Sequence, residues 1–186
     1  MNAFKFFRHT YLCYFSQPVA DRALYRLLRK SPVTTIVEIG LGQLVRTRRM
    51  LELALEKTPL EQLKYAGIDL FESRTDGKAS VALKEAHKEL KPFCGKLQLI
   101  PGDPFSALAR SANALTKTDL VVISQDADAE SLVKAWFYLP RMLHDRSQVF
   151  VEQPASKPGQ TSFRLVPRLE VEQLASTAAK SMRRAA

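Results

Sequence analysis

Glycines and a carboxylate stand together where a buried strand is predicted to end. Gly40 and Gly42 follow the β-branched stretch 34–39, and Glu38 lies just before them. Glycine permits a tight strand-to-helix turn and a close approach of the backbone to a ligand. The first N–H groups of a following helix attract a carboxylate or a phosphate. The sequence therefore predicts a ligand-binding loop that includes Glu38, Gly40 and Gly42.

A second carboxylate, Asp69, closes the next predicted strand and is followed by Leu70. Ligands of open parallel sheets bind beyond the carboxyl ends of the strands, so Asp69 belongs to the same edge as the glycine loop. Its two oxygens can accept hydrogen bonds from the two hydroxyls of a ribose. The alternative is that Asp69 only caps the segment that follows it.

The tripeptide Asp103-Pro104-Phe105 follows the third predicted strand. Asp103 can accept a hydrogen bond from an exocyclic amine of a base, and the ring of Phe105 can pack on a planar ligand. An aspartate before a proline is also an ordinary turn residue. Both interpretations of Asp103 remain open from the sequence.

Two further acids, Asp126 and Asp128, follow the fourth predicted strand. The pair can bind a divalent cation, and Asp126 can act as a catalytic base or orient a reacting group. Acids also favour the N-terminus of a helix, and a helix is predicted to begin near Glu130. We prefer this second interpretation. No metal site is predicted, because three histidines and two distant cysteines do not form a ligand cluster.

Three arginines, Arg46, Arg48 and Arg49, begin the helix predicted after the glycine loop. Positive charge is unfavourable at a helix N-terminus unless an anion lies near it. The arginines therefore either meet an anionic ligand or extend into the solvent along their apolar stems.

Strands and helices are predicted to alternate along the chain. The strands are continuous apolar runs, as expected for a sheet covered on both faces, and they are predicted at 34–39, 65–70, 96–100, 119–124 and 147–152. The helices have apolar residues at helical spacing and are predicted at 19–30, 45–57, 79–90, 105–115 and 130–143. This pattern is typical of an α/β three-layer sandwich with a mostly parallel, doubly wound central sheet.

The chain of 186 residues is about the size of one domain, and residues 1–186 are predicted to form a single Rossmann-like domain. Residues 1–17 are rich in aromatic side chains and predict an arm or a short helix that packs on this domain. Residues 154–186 predict a short C-terminal strand or hairpin followed by a helical tail, with a strand or hairpin over 163–172 and helical propensity over 171–184.

The stretches at the predicted strand ends resemble, in order and spacing, the motifs of class I S-adenosylmethionine-dependent methyltransferases. The resemblance covers residues 34–152 and lies in Glu38-Ile39-Gly40-Leu41-Gly42, Gly67-Ile68-Asp69-Leu70, Gly102-Asp103-Pro104-Phe105 and Asp119-Leu120-Val121-Val122-Ile123. It implies a Rossmann-like fold that binds S-adenosylmethionine at the carboxyl ends of the first three strands. The resemblance implies that Glu38, Gly40 and Gly42 form the loop on the methionine side, that Asp69 binds the ribose and that Asp103 faces the adenine. The further predicted cofactor contacts are Leu70, Pro104 and Phe105.

Two departures from the family's pattern bear on turnover. The family commonly has a third small residue two places after the second glycine, where this chain has Leu44. The region after Glu152 is also short for the helix and antiparallel hairpin that the family adds there. Both departures favour a domain that keeps the fold without turnover. A nicotinamide cofactor is disfavoured, because Val45 stands where the third glycine of GxGxxG belongs.

The formal net charge of +9 favours anionic partners through long-range attraction. An anionic acceptor and RNA are the partners that this charge suggests, although the chain has no basic tract and no aromatic-interleaved RNA motif. No stretch reaches the ~18 apolar residues of a membrane span, and no membrane partner is predicted. The first 20 residues lack the pattern of a secretory signal, so a cytoplasmic location is expected.

Three functions are consistent with the sequence. The first is an S-adenosylmethionine-dependent methyltransferase whose acceptor the sequence does not identify. Transfer of an activated methyl group depends mainly on proximity and alignment, so such an enzyme need not display a catalytic residue. The second is a non-catalytic domain of the same fold that serves as a binding or interaction module, and the third is an RNA-directed methyltransferase.

Overall fold

The computed structural model describes residues 3–75, 77, 80–156 and 159–184. Its strands are β1 (Thr35–Ile39), β2 (Lys64–Asp69), β3 (Lys96–Pro101), β4 (Thr118–Ile123), β5 (Leu143–Pro154) and β6 (Thr161–Val166). Its α-helices are α1 (Ala3–Tyr14), α2 (Arg22–Lys30), α3 (Val45–Ala54), α4 (Leu83–Leu90), α5 (Pro104–Ser111), α6 (Ala129–Ala135), α7 (Leu139–Met142) and α8 (Arg168–Arg184). Short 3₁₀ turns lie at Val19–Asp21, Leu60–Gln62, Phe71–Ser73, Lys91–Phe93, Ala112–Ala114 and Trp136–Tyr138.

The strands form one sheet in the order β3-β2-β1-β4-β5-β6. Strands β1 to β5 run parallel, and β6 runs antiparallel to β5. The order reverses between β1 and β4, so the carboxyl ends of these two strands flank the crevice in which doubly wound sheets bind ligands. The predicted α/β fold with a mostly parallel, doubly wound sheet is confirmed.

Helices cover both faces of the sheet and complete the three layers. On one face Leu28 of α2, Leu51 of α3 and Leu90 of α4 are fully buried in a common core. On the other face Leu108 of α5 and Val171 of α8 are fully buried in a second core. Each such side chain contributes about 1.5–3 kcal/mol to folding. No helix among the described residues is long and apolar enough to cross a membrane.

Helix α1 accounts for most of the aromatic N-terminal segment. It packs on α2 through a buried face that includes Leu12 and Cys13. Its outward face is aromatic, with Phe4, Phe7 and Tyr11 exposed by 73%, 70% and 54%. The helix thus buries one side against the domain and presents aromatic rings on the other.

Two predicted elements differ from the observed ones, one in continuity and the other in length. The helix predicted over 130–143 is divided into α6, the turn Trp136–Tyr138 and α7. Pro140 lies in the first turn of α7, where its missing N–H is tolerated, but it would break a continuous helix. Strand β5 is twice as long as the predicted strand at 147–152, because it pairs with β4 on one side and with β6 on the other.

Four helices are shorter than predicted. Helix α2 begins at Arg22 rather than at residue 19, because the 3₁₀ turn Val19–Asp21 precedes it. Helix α3 ends at Ala54 rather than at residue 57. In the turn that follows, the backbone N–H groups of residues 56 and 57 donate to the carbonyl oxygens three positions earlier. Helix α5 ends at Ser111 rather than at residue 115, because a 3₁₀ turn continues the chain. Helix α4 begins at Leu83, and the predicted start at Ala79 lies outside the described residues.

The C-terminal region contains one antiparallel strand and one long helix. Strand β6 begins two residues before the predicted stretch 163–172 and ends inside it, at Val166. Helix α8 begins at Arg168, directly after Pro167. The prediction that a strand extends to residue 172 is therefore wrong, since the helix takes over at residue 168. The 34 residues after Glu152 thus add one antiparallel strand and one helix to the sheet.

Candidate cofactor site

The loop after β1 packs against the loop after β4. Gly40 and Gly42 have φ angles of +83° and +60°, in the left-handed region that glycine adopts without strain. A Cβ atom on Gly40 would lie 2.6 Å from the backbone nitrogen of Ala127, and one on Gly42 would lie 2.8 Å from Oδ2 of Asp126. Because the two glycines have no side chains, residues 126–127 of the same chain can pack closely against them. The resemblance implies that a ligand lies at this place.

Leu44, at the place of the third small residue, is also left-handed, with φ of +64°. This conformation costs a residue other than glycine about 1–2 kcal/mol. The side chain is buried in the core beneath α3, and its burial offsets that cost. A glycine here would relieve the backbone, whereas leucine fills the core.

The carboxylate of Asp69 is buried at the end of β2 and is engaged by the protein itself. Its Oδ2 accepts hydrogen bonds from the backbone nitrogens of Leu41 at 2.6 Å and Gly42 at 3.3 Å. Its Oδ1 accepts from the backbone nitrogen of Leu70 and from Nη2 of Arg74, both at 2.7 Å. Asp69 therefore ties the glycine loop to β2, and a ribose would have to replace one of these donors.

Arg74 fills the crevice between the carboxyl ends of β1, β2 and β4. Its side chain is only 2% exposed. Besides Asp69, its Nη1 and Nη2 donate to the backbone oxygen of Asp126 at 3.0 and 3.1 Å. The remaining cavity has a volume of about 10 Å³, about the space of one water molecule. Ligand pockets usually measure roughly 300–1,000 Å³, so this crevice is closed in the observed conformation.

Glu38 is completely buried under α3. Its Oε1 accepts a hydrogen bond from Nε of Arg46 at 2.8 Å, and its Oε2 accepts from the hydroxyls of Thr47 at 2.7 Å and Tyr65 at 2.8 Å. Burial and the adjacent Glu38 charge raise the pKa of Tyr65 well above its usual range, which keeps the phenol protonated as a donor. Contact of Glu38 with a cofactor stays a prediction.

Arg46 connects Glu38 to Glu152 at the end of β5. Its Nη1 lies 3.4 Å from Oε2 of Glu152, and its Nη2 donates to the backbone oxygen of Gly40 at 2.9 Å. Burial alone would lower the pKa of Arg46, but the charge of Glu38 and the other nearby acids raises it overall. Arg46 therefore meets internal carboxylates and is mostly buried rather than extended into the solvent. A contact of Arg46 with an anionic ligand stays a prediction.

The other two arginines of this helix lie closer to the surface. Arg48 lies 3.6 Å from the carboxylate of Glu89, and both side chains are about half exposed. Nη1 of Arg49 donates to the backbone oxygen of Gln17 at 2.7 Å. Both contacts are with neighbouring segments of the same chain.

The carboxylate of Glu152 in β5 forms hydrogen bonds with the loop after β4 and with β6. Its Oε2 accepts hydrogen bonds from the hydroxyl of Ser124 at 2.9 Å and the backbone nitrogen of Gln125 at 3.2 Å. Its Oε1 accepts from the hydroxyl of Thr161 at 2.7 Å. Glu152 thereby fixes the loop after β4 in the position that closes the crevice.

Asp103 caps α5 and joins it to α6. Its Oδ1 accepts a hydrogen bond from the backbone nitrogen of Ser106 at 3.0 Å and another from the hydroxyl of Ser131. Burial raises the pKa of Asp103, but the hydrogen bonds from Ser131 and Ser106 outweigh burial and lower it to about 2. Asp103 is therefore the N-cap of α5, and its contact with an adenine stays a prediction.

Pro104 and Phe105 form the first turn of α5. Pro104 is buried, and the ring of Phe105 lies 5.7 Å from the ring of Tyr138. The backbone nitrogen of Phe105 donates to the hydroxyl of Ser131 at 2.8 Å. The aromatic contact of Phe105 is therefore with its own domain, and its role in ligand binding stays a prediction.

Asp126 and Asp128 have different roles in the structure. Oδ2 of Asp128 accepts from the backbone nitrogen of Ser131 at 2.9 Å, so the capping interpretation is confirmed for Asp128. Asp126 lies in the closed loop, with its backbone nitrogen donating to the hydroxyl of Ser124 at 3.2 Å. Within the described ranges, no three His, Cys, Asp or Glu side chains converge as metal ligands. A catalytic role of Asp126 stays a prediction.

Asp21, just before α2, is a further buried acid near this network. It is 2% exposed, and the hydroxyl of Tyr25 donates to its Oδ2 at 3.2 Å. Its Oδ1 has no hydrogen-bond partner among the described residues. Burial raises the pKa of Asp21 to about 6, although the charge of Arg46 partly opposes this shift.

Replacing Asp21 with asparagine should therefore stabilise the protein at neutral pH and not in acid. The folded state binds a proton more tightly than the unfolded chain, so the native Asp21 loses stability as the pH rises from about 4 to about 6. We expect D21N to raise the free energy of unfolding by about 3 kcal/mol above pH 7, since the pKa rises from 3.8 to about 6 and one pKa unit is worth about 1.4 kcal/mol. Urea unfolding at pH 4 and pH 7.5 measures this difference, and an equal effect at both pH values would contradict it.

Solved structures, unlike sequence families, match this chain. No family model matches it, and no curated protein matches it. The structure of yhhF from Escherichia coli, proposed to be a methyltransferase, matches with a TM-score of 0.58 at 16% identity, over 81% of this chain and 86% of that one. The fold is that of the class I S-adenosylmethionine-dependent methyltransferases.

Two further structures share this methyltransferase fold. Precorrin 8w decarboxylase from Methanobacterium thermoautotrophicum has a TM-score of 0.50 at 16% identity, over 90% of this chain and 73% of that one. An O-methyltransferase family protein from Burkholderia thailandensis has a TM-score of 0.50 at 13% identity, over 94% of this chain. This chain spans 54% of the length of the Burkholderia protein. Identities this low establish the methyltransferase fold and leave activity and acceptor to be determined.

Sequence reasoning missed two residues that determine the state of the crevice. Arg74 follows Asp69 by five positions in a polar segment, and no spacing rule indicates that it folds back. Glu152 offered a signal, because it is an acid within an apolar predicted strand. A charged residue in such a run is either paired or near a strand end, and Glu152 is both.

Proposed function

We propose that this protein is an S-adenosylmethionine-dependent methyltransferase that acts on an acceptor still to be identified. The observation that carries the proposal is the position of Asp69. It lies at the end of β2, accepts a hydrogen bond from the glycine loop after β1, and is beside the topological switch point of a methyltransferase fold. In this fold the cofactor binds at that edge, and an acid there can hold the ribose hydroxyls.

The crevice does not fit the cofactor in the conformation observed. A volume of about 10 Å³ has no room for an adenosine, and the Asp69 carboxylate already accepts from the glycine loop and from Arg74. Binding therefore requires Arg74 and the loop at 124–128 to move. The proposal thus includes two conformations, and the cofactor selects the open one.

A second candidate function is an interaction domain without turnover. The buried pair of Asp69 and Arg74 favours it, because this pair satisfies the carboxylate without any ligand. Leu44 in place of a small residue supports the same view. The two candidates differ in one measurable property, the affinity for S-adenosylmethionine.

The partner and the location are parts of the proposal. The net charge of +9 supports an anionic acceptor, through long-range attraction. Cys13 and Cys94 are both free thiols, which suits a reducing compartment such as the cytoplasm.

Calorimetric titration with S-adenosylmethionine tests the proposed function. We expect the wild-type protein to bind and D69A to lose binding, because the carboxylate is the group that would hold the ribose. D145A is the matched control, since Asp145 is an exposed acid at the start of β5, and it should bind like the wild type. No binding at millimolar cofactor would reject the methyltransferase and support the interaction domain.

A further inference from the structure

A large cavity lies at the edge of the sheet opposite the closed crevice. It is formed by the amino ends of β1, β2 and β3 and by the segment that leads into β4, and its volume is about 400 Å³. This volume is within the range of roughly 300–1,000 Å³ that is usual for small-molecule sites. The amino ends of these strands, far from Asp69, therefore leave room for a small molecule.

The cavity exists because α5 is short. Side chains at register-paired positions share one face of a sheet, so Thr35, Lys64 and Lys96 point to the same face. Leu108 of α5 is buried in the core on this face, but α5 ends at Ser111. The amino ends of the strands are thus left as the floor of a cavity, with residues 114–117 as its wall.

Three exposed lysines line this cavity, and the nearby carboxylate of Asp119 contacts Thr34, Thr35 and His144 rather than a lysine. Lys64 and Lys96 are direct cross-strand partners, an arrangement in which like charges repel. Lys117 faces them from the segment before β4. None of the three ammonium groups forms an ion pair or hydrogen bond with any described residue, and no described carboxylate lines the cavity.

Lys117 also has an unusual backbone. Its φ of +58° is left-handed, which costs a lysine about 1–2 kcal/mol and would cost a glycine nothing. Strained residues of this kind cluster at ligand sites, where the side chain is needed. The backbone conformation does not explain a lysine at this position, whereas a role of its side chain in the cavity does.

We propose that this cavity binds a small molecule that carries a phosphate group. The three ammonium groups supply the positive charge and several donors, and the hydroxyls of Thr35 and Thr116 supply neutral donors around the same space. The concave shape favours a small molecule over RNA, which would be expected to extend along a surface groove. The proposal is independent of the methyltransferase function, because the two sites lie at opposite ends of the strands.

Titration with inorganic pyrophosphate at low salt tests this site. We expect wild-type binding to weaken about tenfold in K96Q, since one charge-assisted contact is worth about that factor. K117G should weaken binding similarly while its melting temperature stays the same or rises, because glycine relieves the left-handed backbone. K57Q is the matched control, as Lys57 is an exposed lysine outside the cavity.

Three results would overturn the proposal. Equal weakening by K57Q and K96Q would show that pyrophosphate responds only to overall charge. Succinate binding as tightly as pyrophosphate would exclude selectivity for phosphate. The third is an absence of binding at millimolar pyrophosphate. Titration of K96Q with S-adenosylmethionine separates this site from the crevice, because its cofactor affinity should equal that of the wild type.

Discussion

Replacing Arg46 with methionine is expected to lower the free energy of unfolding by about 3–5 kcal/mol at neutral pH. The methionine fills a similar volume, but it leaves Glu38 fully buried without its cationic partner. It also removes the link to Glu152 and to the backbone of Gly40. An unpaired buried carboxylate keeps its desolvation cost and loses the attraction that offset it. Urea unfolding followed by circular dichroism measures the loss.

Two variants separate this charge effect from a loss of packing. R48M makes the same change at a half-exposed arginine of the same helix and should change stability by no more than about 0.5 kcal/mol. Adding E38Q to R46M should recover part of the loss, because glutamine is neutral and can still bond to Thr47 and Tyr65. A loss in R46M no larger than that in R48M would show that Arg46 does not stabilise the buried acid.

The sheet and its helices could be predicted from the sequence because their signals are local. Apolar runs such as 119–124 indicate strands buried on both faces. Their regular spacing indicates that crossover connections join parallel strands. Helix ends were less predictable. At α5 a 3₁₀ turn replaces the last α-turn, and nothing in the apolar spacing distinguishes the two. The order and kind of the elements were therefore predicted more accurately than their boundaries.

The site could be located from the sequence but its contacts could not. Glycine, Asp69 and Asp103 were expected at strand ends, and the structure places them there. Several groups that engage these acids are distant in sequence, as Leu41 and Asp69 are separated by 28 positions and Asp103 and Ser131 also by 28. A residue type can show that a carboxylate is able to bind a ribose. Only the folded chain shows that an arginine already occupies it.

Replacing Arg74 with alanine is expected to raise the apparent affinity for S-adenosylmethionine about 10- to 100-fold. A protein that must open before it binds shows an affinity reduced by the fraction of molecules that are open. The bond from Arg74 to Asp69 and the bonds to the backbone of Asp126 hold the closed state. One hydrogen bond to a charged group is worth about 1.5–3 kcal/mol, which corresponds to this range of affinity.

Isothermal titration of R74A against R110A measures the effect of opening the crevice. Arg110 is an exposed arginine near the same edge that donates to the backbone oxygen of Pro101 at 2.8 Å, so its removal subtracts a similar charge without opening the crevice. R110A should bind like the wild type, and D69A in the R74A background should lose the gain. If R74A remains folded and binds no cofactor at millimolar concentration, Arg74 is not a gate. The Asp69–Arg74 pair would then be a permanent part of a domain that has kept the methyltransferase fold for another use.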